Sequence, residues 1–276
     1  RQAMTATEDR PEAGQHWLSR LLQFDRDGDT FVSNSEANSE RGPAPRLFGG
    51  LIAAQALGAA GHTVDAEKLP QSLHLYFVRG GRYDTDIEFC VRRIRTGRSF
   101  DTRQVSASQD GEVILEMIAS FHRPEPGADW HPRPAPALAF ENAAPKRTDL
   151  DFGGRFEVRT APEDTSTFAL PPYWIRARDP SGDDPRLCAC VLTFMSDLGP
   201  VPAVRPPGTP LTFEVGFATS LDHSLWFHRP FRPTEWHRYE VRAANNSDSR
   251  GLAVGSLYDA SGALIASMTQ EALWRV

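Results

Sequence analysis

The sequence has 276 residues, of which 40% are hydrophobic and 24% charged, a balance that excludes a fully disordered chain. Its formal net charge of −6 argues against non-specific nucleic-acid binding, and no run approaches the roughly 18 apolar residues of a membrane helix, so we expect neither nucleic-acid nor membrane partners. The three cysteines are too few for a disulfide framework, which favours a reducing cytoplasm.

The first half of the chain is predicted to contain one helix followed by antiparallel strands. Residues 1–16 are polar and are expected to form a flexible lead-in, whereas residues 48–60 are rich in alanine and glycine, which is typical of a helix packed closely against a sheet. Apolar residues then alternate around 73–77, 87–91 and 113–121, and Asp110-Gly111 is a hairpin signal. We assign residues 17–123 to this N-terminal unit.

Two proline-rich stretches interrupt the pattern. Residues 124–150 contain six prolines, each of which lacks an N–H donor and has a fixed φ, so we predict a linker that lies outside any sheet or helix. Residues 200–210 are interpreted as a loop for the same reason.

The second half, residues 151–276, repeats the order of the first. A helix is predicted at about 186–198, and strands at 217–229, 235–244, 251–259 and 263–274. Phe77-Val78-Arg79 corresponds to Phe227-His228-Arg229 at an offset of 150 residues, and Gly111 corresponds to Gly262 at an offset of 151. The sequence therefore predicts an α+β protein built by duplication of one helix-plus-sheet unit.

Several motifs resemble the acyl-CoA thioesterase II family, whose members contain two fused hotdog units. The matching segments are Leu47-Phe48-Gly49-Gly50, Leu73-His74-Leu75-Tyr76-Phe77-Val78-Arg79, Gly97-Arg98-Ser99-Phe100, Ala119-Ser120-Phe121, Ser196-Asp197-Leu198, the run from Ser220 to Pro230, and Gln270-Glu271. The resemblance implies a double hotdog, in which two repeats form one continuous antiparallel sheet around two central helices.

The same resemblance implies hydrolysis of acyl-CoA thioesters to fatty acid and CoA, with no cofactor and no metal. The family's catalytic positions correspond to Asp197, Ser220 and Gln270, which would hold the attacking water. The partner is then an acyl-CoA substrate, and a homo-oligomer is expected. A backbone N–H at Gly49 or Gly50 is a candidate oxyanion donor, since helix N-termini favour negative charge.

Two of these positions are also conspicuous in the residue pattern. Asp197 lies near the end of an otherwise apolar helical stretch, where a buried carboxylate is unfavourable unless it is hydrogen-bonded. Gln270 shares a strand face with Met268 and Trp274, and a buried amide requires partners.

The third position is ambiguous. Strict alternation would put Thr219, rather than Ser220, on the more apolar face, and a β-bulge at the start of the strand would resolve the conflict. We choose Ser220 and keep Thr219 as the alternative. Asp222 and His223 suggest a Ser-His-Asp triad, but neighbours on a strand point to opposite faces, so we expect a structural role for both near the site.

Other interpretations remain open. Arg92, Arg93, Arg95, Arg98 and Arg103 form a basic run that could bind the phosphates of CoA, although a solvated strand face is more common. Leu51 stands where the family usually has Gln, which leaves a non-catalytic acyl-CoA-binding or scaffolding protein as the alternative function. A hydratase of related architecture is disfavoured, because 181–185 lacks the Asn and His of that motif.

Overall fold

The computed structural model describes residues 17–33, 46–148, 152–166, 168–179, 182–209 and 217–275. The predicted lead-in, residues 1–16, lies outside these ranges. Among the described residues, no helix is both long enough and apolar enough to cross a membrane.

The first repeat contains a central helix and a long antiparallel sheet. Its elements in chain order are α1 (Trp17–Leu21), β1 (Asp25–Asp27), β2 (Thr30–Ser33), α2 (Gly49–Gly61), β3 (Leu69–Phe77), β4 (Ile87–Thr96), β5 (Phe100–Gln109) and β6 (Glu112–His122). Asp110 and Gly111 both have positive φ in the tight turn between β5 and β6, as the hairpin signal predicts.

The second repeat follows the same plan. Its elements are a 3-10 turn (Phe140–Asn142), β7 (Ala144–Lys146), β8 (Phe156–Thr160), β9 (Tyr173–Ala177), α3 (Pro185–Ser196), α4 (Pro200–Ala203), β10 (Phe217–Ser220), β11 (Asp222–Phe227), β12 (His237–Ser247), β13 (Arg250–Asp259) and β14 (Leu264–Arg275). The predicted helix and the four predicted strand regions are present, with boundaries that differ by a few residues.

One sheet joins the two repeats in the order β1-β2-β4-β5-β6-β3-β11-β14-β13-β12-β9-β8-β7, and β10 also pairs with β14. The β3–β11 ladder lies at the centre, where His74 faces Ser224, and these two residues are 150 positions apart. The order β4-β5-β6-β3 on one side is matched by β12-β13-β14-β11 on the other. This symmetry agrees with the offset in the sequence, and the α+β double hotdog is confirmed.

The helices α2 and α3 run antiparallel inside the sheet. Gly50 packs closely against the end of α3. A Cβ added at this position would lie only 2.6 Å from the Phe194 carbonyl oxygen. At the other end, Arg186 of α3 donates to the Gly61 carbonyl oxygen at the end of α2. Most of α2 is buried, as the small residues predict, and Leu51 is part of the core.

Two sequence expectations need correction, and several short strands were not predicted. Pro145 lies within β7, inside the predicted linker, and this is possible because β7 is the edge strand of the sheet. The second proline-rich stretch begins with the short helix α4, in which Pro200 occupies the first turn, where its missing N–H costs nothing. The short strands before each central helix, β1 and β2 and then β8 and β9, were not predicted.

Candidate active site

Asp197 directly follows the last residue of α3, so the residues that begin and end this helix determine where Asp197 lies. Asp184 caps the start of α3 by accepting a hydrogen bond from the Arg186 N–H, and Pro185 occupies the first turn. The helix then ends at Ser196, with Asp197 as its C-cap residue. The Asp197 side chain is buried with 8% exposure, next to the beginning of α2.

The surroundings of Asp197 favour the protonated acid. Burial raises the pKa of Asp197 to about 7, and hydrogen bonds from the Gln270 side chain and the Gly50 N–H oppose this rise only in part. Its Oδ1 atom is buried and accepts no hydrogen bond from the described residues. A carboxyl group with a pKa near neutrality and one unused oxygen can act as a general base.

Gln270 lies on the buried face of β14, as predicted from the alternation. Ala266, Met268, Ala272 and Trp274 are buried on the same face, and Gln270 itself is 1% exposed. Its Nε2 atom donates a hydrogen bond of 2.7 Å to the Ser220 Oγ, and its side chain also reaches Asp197. The structure therefore brings together three side chains that are far apart in the sequence.

Ser220 reaches Gln270 because the strand is interrupted at Leu221. Ser220 pairs with Ala272 and Ser224 pairs with Thr269, so four steps along one strand correspond to three along the other. This is the β-bulge that the parity argument requires. The Thr219 hydroxyl instead makes a long contact, 3.5 Å, with the Ser220 carbonyl oxygen.

His223 belongs to the same cluster; the sequence placed it near the site but did not predict its contacts with Gln270 and Ser196. Its Nδ1 lies 2.5 Å from the Gln270 Oε1, and its Nε2 lies 2.8 Å from the Ser196 Oγ. Burial lowers the pKa of His223 to about 4, so the ring is neutral near pH 7. Strict alternation with Leu225 already places His223 on the inner face of β11, and that alternation was the available signal.

The start of α2 closes the other side of the site. A Cβ at Gly49 would lie 2.9 Å from the Asp197 Oδ2 and 2.8 Å from the Phe77 ring, so a side chain has no room there. The Gly50 N–H is hydrogen-bonded to the Asp197 carboxyl group. Of the two candidate oxyanion donors, Gly50 is thus already engaged, whereas Gly49 is not engaged by Asp197.

The basic run lies at the opposite end of α2. Arg103 is fully buried, and it donates to Thr63 just beyond α2 and to the Arg95 carbonyl oxygen. Arg93 is paired with Asp29. Because α2 has 13 residues, this region lies about 20 Å from Gly49 at 1.5 Å per residue. Because Arg103 and Arg93 are already engaged by protein acceptors, these two are disfavoured as ligands of the CoA phosphates.

Two features of the described part of the chain bear on alternative sites. No group of three or more His, Cys, Asp or Glu residues there is arranged to hold a metal ion. A groove of about 1010 Å³ lies at the start of α3 and is lined by residues such as Leu69, Cys188, Leu192 and Phe227. None of Asp197, Ser220 or Gln270 lines this groove.

Comparisons with known proteins match both repeats. Residues 38–122 match the family described as acyl-CoA thioesterase N-terminal domain, and residues 131–274 match the acyl-CoA thioesterase C-terminal domain.

Individual relatives match over most of their length. Acyl-coenzyme A thioesterase 8 of Mus musculus is 34% identical, over 84% of this chain and 81% of the relative. Acyl-CoA thioesterase 2 of Haemophilus influenzae is 30% identical, over 83% and 88%. The crystal structure of an acyl-CoA thioesterase II from Mycobacterium marinum has a TM-score of 0.73 and 32% identity, and covers 94% of this chain and 96% of that one.

Proposed function

The chain belongs to the acyl-CoA thioesterase II family and is an acyl-CoA thioesterase, and we propose that Asp197, Ser220 and Gln270 hold the water molecule that hydrolyses the thioester. The observation that carries this proposal is the hydrogen-bonded connection of the three side chains, in which Gln270 links Ser220 to Asp197.

Asp197 is the general base in the proposed reaction. The water oxygen attacks the carbonyl carbon of the thioester while a water proton moves to the Asp197 Oδ1, the oxygen without a protein partner. The tetrahedral intermediate then collapses, the C–S bond breaks, and CoA leaves as a thiolate. A thiol has a pKa of about 8.5, so the leaving group needs little help from an acid. The proton on Asp197 passes to the thiolate or to solvent, which restores the base.

Ser220 and Gln270 orient the water. The Ser220 hydroxyl is half-buried and accepts a hydrogen bond from Gln270, which leaves its own O–H available to direct a water molecule towards the carbonyl carbon. The Gly49 N–H, at the first position of α2, is the backbone donor that we assign to the oxyanion.

Aromatic rings provide an apolar approach to this group. Phe48, Phe152 and Phe194 contact one another with ring centroids 4.8 to 5.0 Å apart, and Phe77 touches the start of α2. We place the acyl chain of the substrate against the half-buried Phe48 and Phe77, because contact with its methylene groups there removes apolar surface from water.

The test measures release of free CoA from short-, medium- and long-chain acyl-CoAs by the wild-type chain and two hydroxyl variants. Ser220→Ala should lower kcat by about tenfold or more, because the water loses its orientation. Thr219→Val is the matched control and should leave kcat unchanged. Equal loss in both variants, or loss only in Thr219→Val, would contradict the assignment. Tight binding of acyl-CoA without release of CoA would instead support the non-catalytic alternative.

A further inference from the structure

A continuous chain of hydrogen bonds extends from the end of α3 to the proposed water-holding group. The Ser196 Oγ lies 2.8 Å from the His223 Nε2, the His223 Nδ1 lies 2.5 Å from the Gln270 Oε1, and the Gln270 Nε2 lies 2.7 Å from the Ser220 Oγ. Ser196, His223 and Gln270 are all buried, with exposures of 4%, 1% and 1%. Buried polar chains of this kind specify the orientation of each member.

The partners of Gln270 fix the direction of its amide. The amide NH₂ has two hydrogens, and both are used, one towards the Ser220 Oγ and one towards the Asp197 carboxyl group. The amide oxygen must therefore face His223. In the flipped orientation, the oxygen would face the Asp197 carboxylate, which cannot donate a hydrogen bond when it is ionised.

This orientation in turn fixes the tautomer of His223. An amide oxygen only accepts hydrogen bonds, so the His223 Nδ1 must carry the hydrogen that it donates to the Gln270 Oε1. The neutral ring then has a bare Nε2, an acceptor that shares the single hydrogen of the Ser196 hydroxyl with the Thr193 carbonyl oxygen, 2.9 Å from the same Oγ. The contact with Gln270 thus gives the two sides of the imidazole ring opposite roles, with Nδ1 as the donor and Nε2 as the acceptor.

We propose that His223 is a positioning residue, which holds the Gln270 amide in the one orientation that presents its NH₂ group to both Ser220 and Asp197. The inference rests on the proposed function, because it assigns His223 a role through Gln270 and not through contact with substrate. His223 is not the base of a Ser-His-Asp triad, since both ring nitrogens are engaged by Ser196 and Gln270.

A pair of substitutions separates positioning from mere packing. The amide nitrogen of asparagine can occupy the place of the imidazole Nδ1, so His223→Asn retains a donor to Gln270, whereas His223→Leu fills the space without one. We expect His223→Leu to lower kcat by about tenfold or more with little change in KM, and His223→Asn to recover most of that loss. Equal defects in the two variants, in protein that remains folded, would overturn the proposal.

His237 provides the matched control for loss of a buried imidazole. It is 1% exposed, and its Nδ1 bonds to the Glu235 carbonyl oxygen on another part of the sheet. His237→Leu should therefore lower the thermal midpoint without lowering kcat in the protein that remains folded. If His223→Leu also lowers only the thermal midpoint, His223 is structural and the proposal is wrong.

The tautomer can be measured in the wild-type chain, which avoids dependence on the folding of a variant. In ¹⁵N-histidine-labelled protein above pH 8, where Asp197 is ionised, with His223→Asn used for assignment, His223 should show a protonated Nδ1 and a bare Nε2. A protonated Nε2 with a bare Nδ1 would overturn the proposal. Full activity of Asp197→Asn would instead refute the proposed function, which makes the two failures distinguishable.

Discussion

At the scale of single residues, the pKa of Asp197 decides when the proposed base is active. The folded protein holds this pKa at about 7 by burial, far above the usual value, so the carboxylate is lost as the pH falls through about 7. We predict that kcat/KM rises with pH to a plateau above neutrality, with an inflection near 7. The measurement follows loss of thioester absorbance across the pH range. An inflection at the pKa of an ordinary carboxyl group would contradict the buried-base assignment.

The sequence predicted Asp197 and Gln270 for reasons that the structure makes clear. Each polar residue interrupts a regular apolar pattern, on a helix in one case and on a strand in the other, and such interruptions are visible without coordinates. His223 was expected to have a structural role near the site, but its partners Ser196 and Gln270 lie on other elements, so the strand pattern alone could not predict these contacts. The bulge at Leu221 changes the face of Ser220, whereas His223 shares the inner face with Leu225 by simple alternation.

At the scale of elements, the contact between α2 and α3 positions the Asp197 carboxyl group against the first turn of α2. A Cβ at Gly50 would meet the Phe194 carbonyl oxygen at 2.6 Å, and backbone atoms cannot move aside cheaply. We predict that Gly50→Ala destabilises the protein by about 1–3 kcal/mol and lowers kcat, because α2 must shift away from Asp197. The measurement combines chemical denaturation with a turnover assay.

Gly61 supplies the control on the same helix. A Cβ there would meet nothing within 4 Å, so Gly61→Ala should be neutral or stabilising, by up to about 1 kcal/mol from helix propensity. If both substitutions destabilise the protein to a similar extent, tight packing between the helices is not the reason why position 50 requires glycine.

The elements that sequence reasoning missed are short or have ambiguous composition. Phe156–Thr160 and Tyr173–Ala177 have five residues each, too few for alternation to be distinguished from a loop. Pro145 excluded a strand in the sequence pattern because its edge position cannot be known before the sheet is assembled. The two central helices and most of the long strands were predicted, the first helix from its small residues and the strands from alternation, whereas β5 was implied only by the hairpin signal at Asp110-Gly111.

At the scale of the whole molecule, the two repeats are symmetrical in topology but not in chemistry. Where α3 ends beside the start of α2, the chain carries Asp197. Where α2 ends beside the start of α3, the half-buried Arg186 guanidinium donates to the carbonyl oxygens of Gly61, Val64 and Lys68. The two central helices therefore meet at two pairs of ends. One pair contains the candidate base Asp197, and at the other pair Arg186 connects the two repeats through its hydrogen bonds, a contact that we call the Arg186 clamp.

This clamp predicts a stability effect that does not involve the site. Arg186→Leu should lower the free energy of unfolding by about 2 kcal/mol, because several carbonyl oxygens at the end of α2 lose a charged donor. The exposed Arg242 is the control, and Arg242→Leu should change stability by no more than about 0.5 kcal/mol. Denaturant titration of both variants tests this, and an equal effect in the two would contradict the clamp.

The outer face of the sheet exposes apolar side chains, including Tyr76 at 67% and Ile118 at 46%. The homo-oligomer expected from the sequence stays a prediction.

The most direct test of the whole account is turnover of acyl-CoA by Asp197→Asn, with folding checked by thermal denaturation. The substitution keeps the shape of the side chain and removes a buried ionisable group, so the variant should be at least as stable as the wild type at pH 8. The account predicts a fall in kcat of about 10²- to 10⁴-fold, the usual contribution of a general base. A folded Asp197→Asn variant that releases CoA at the wild-type rate would contradict it.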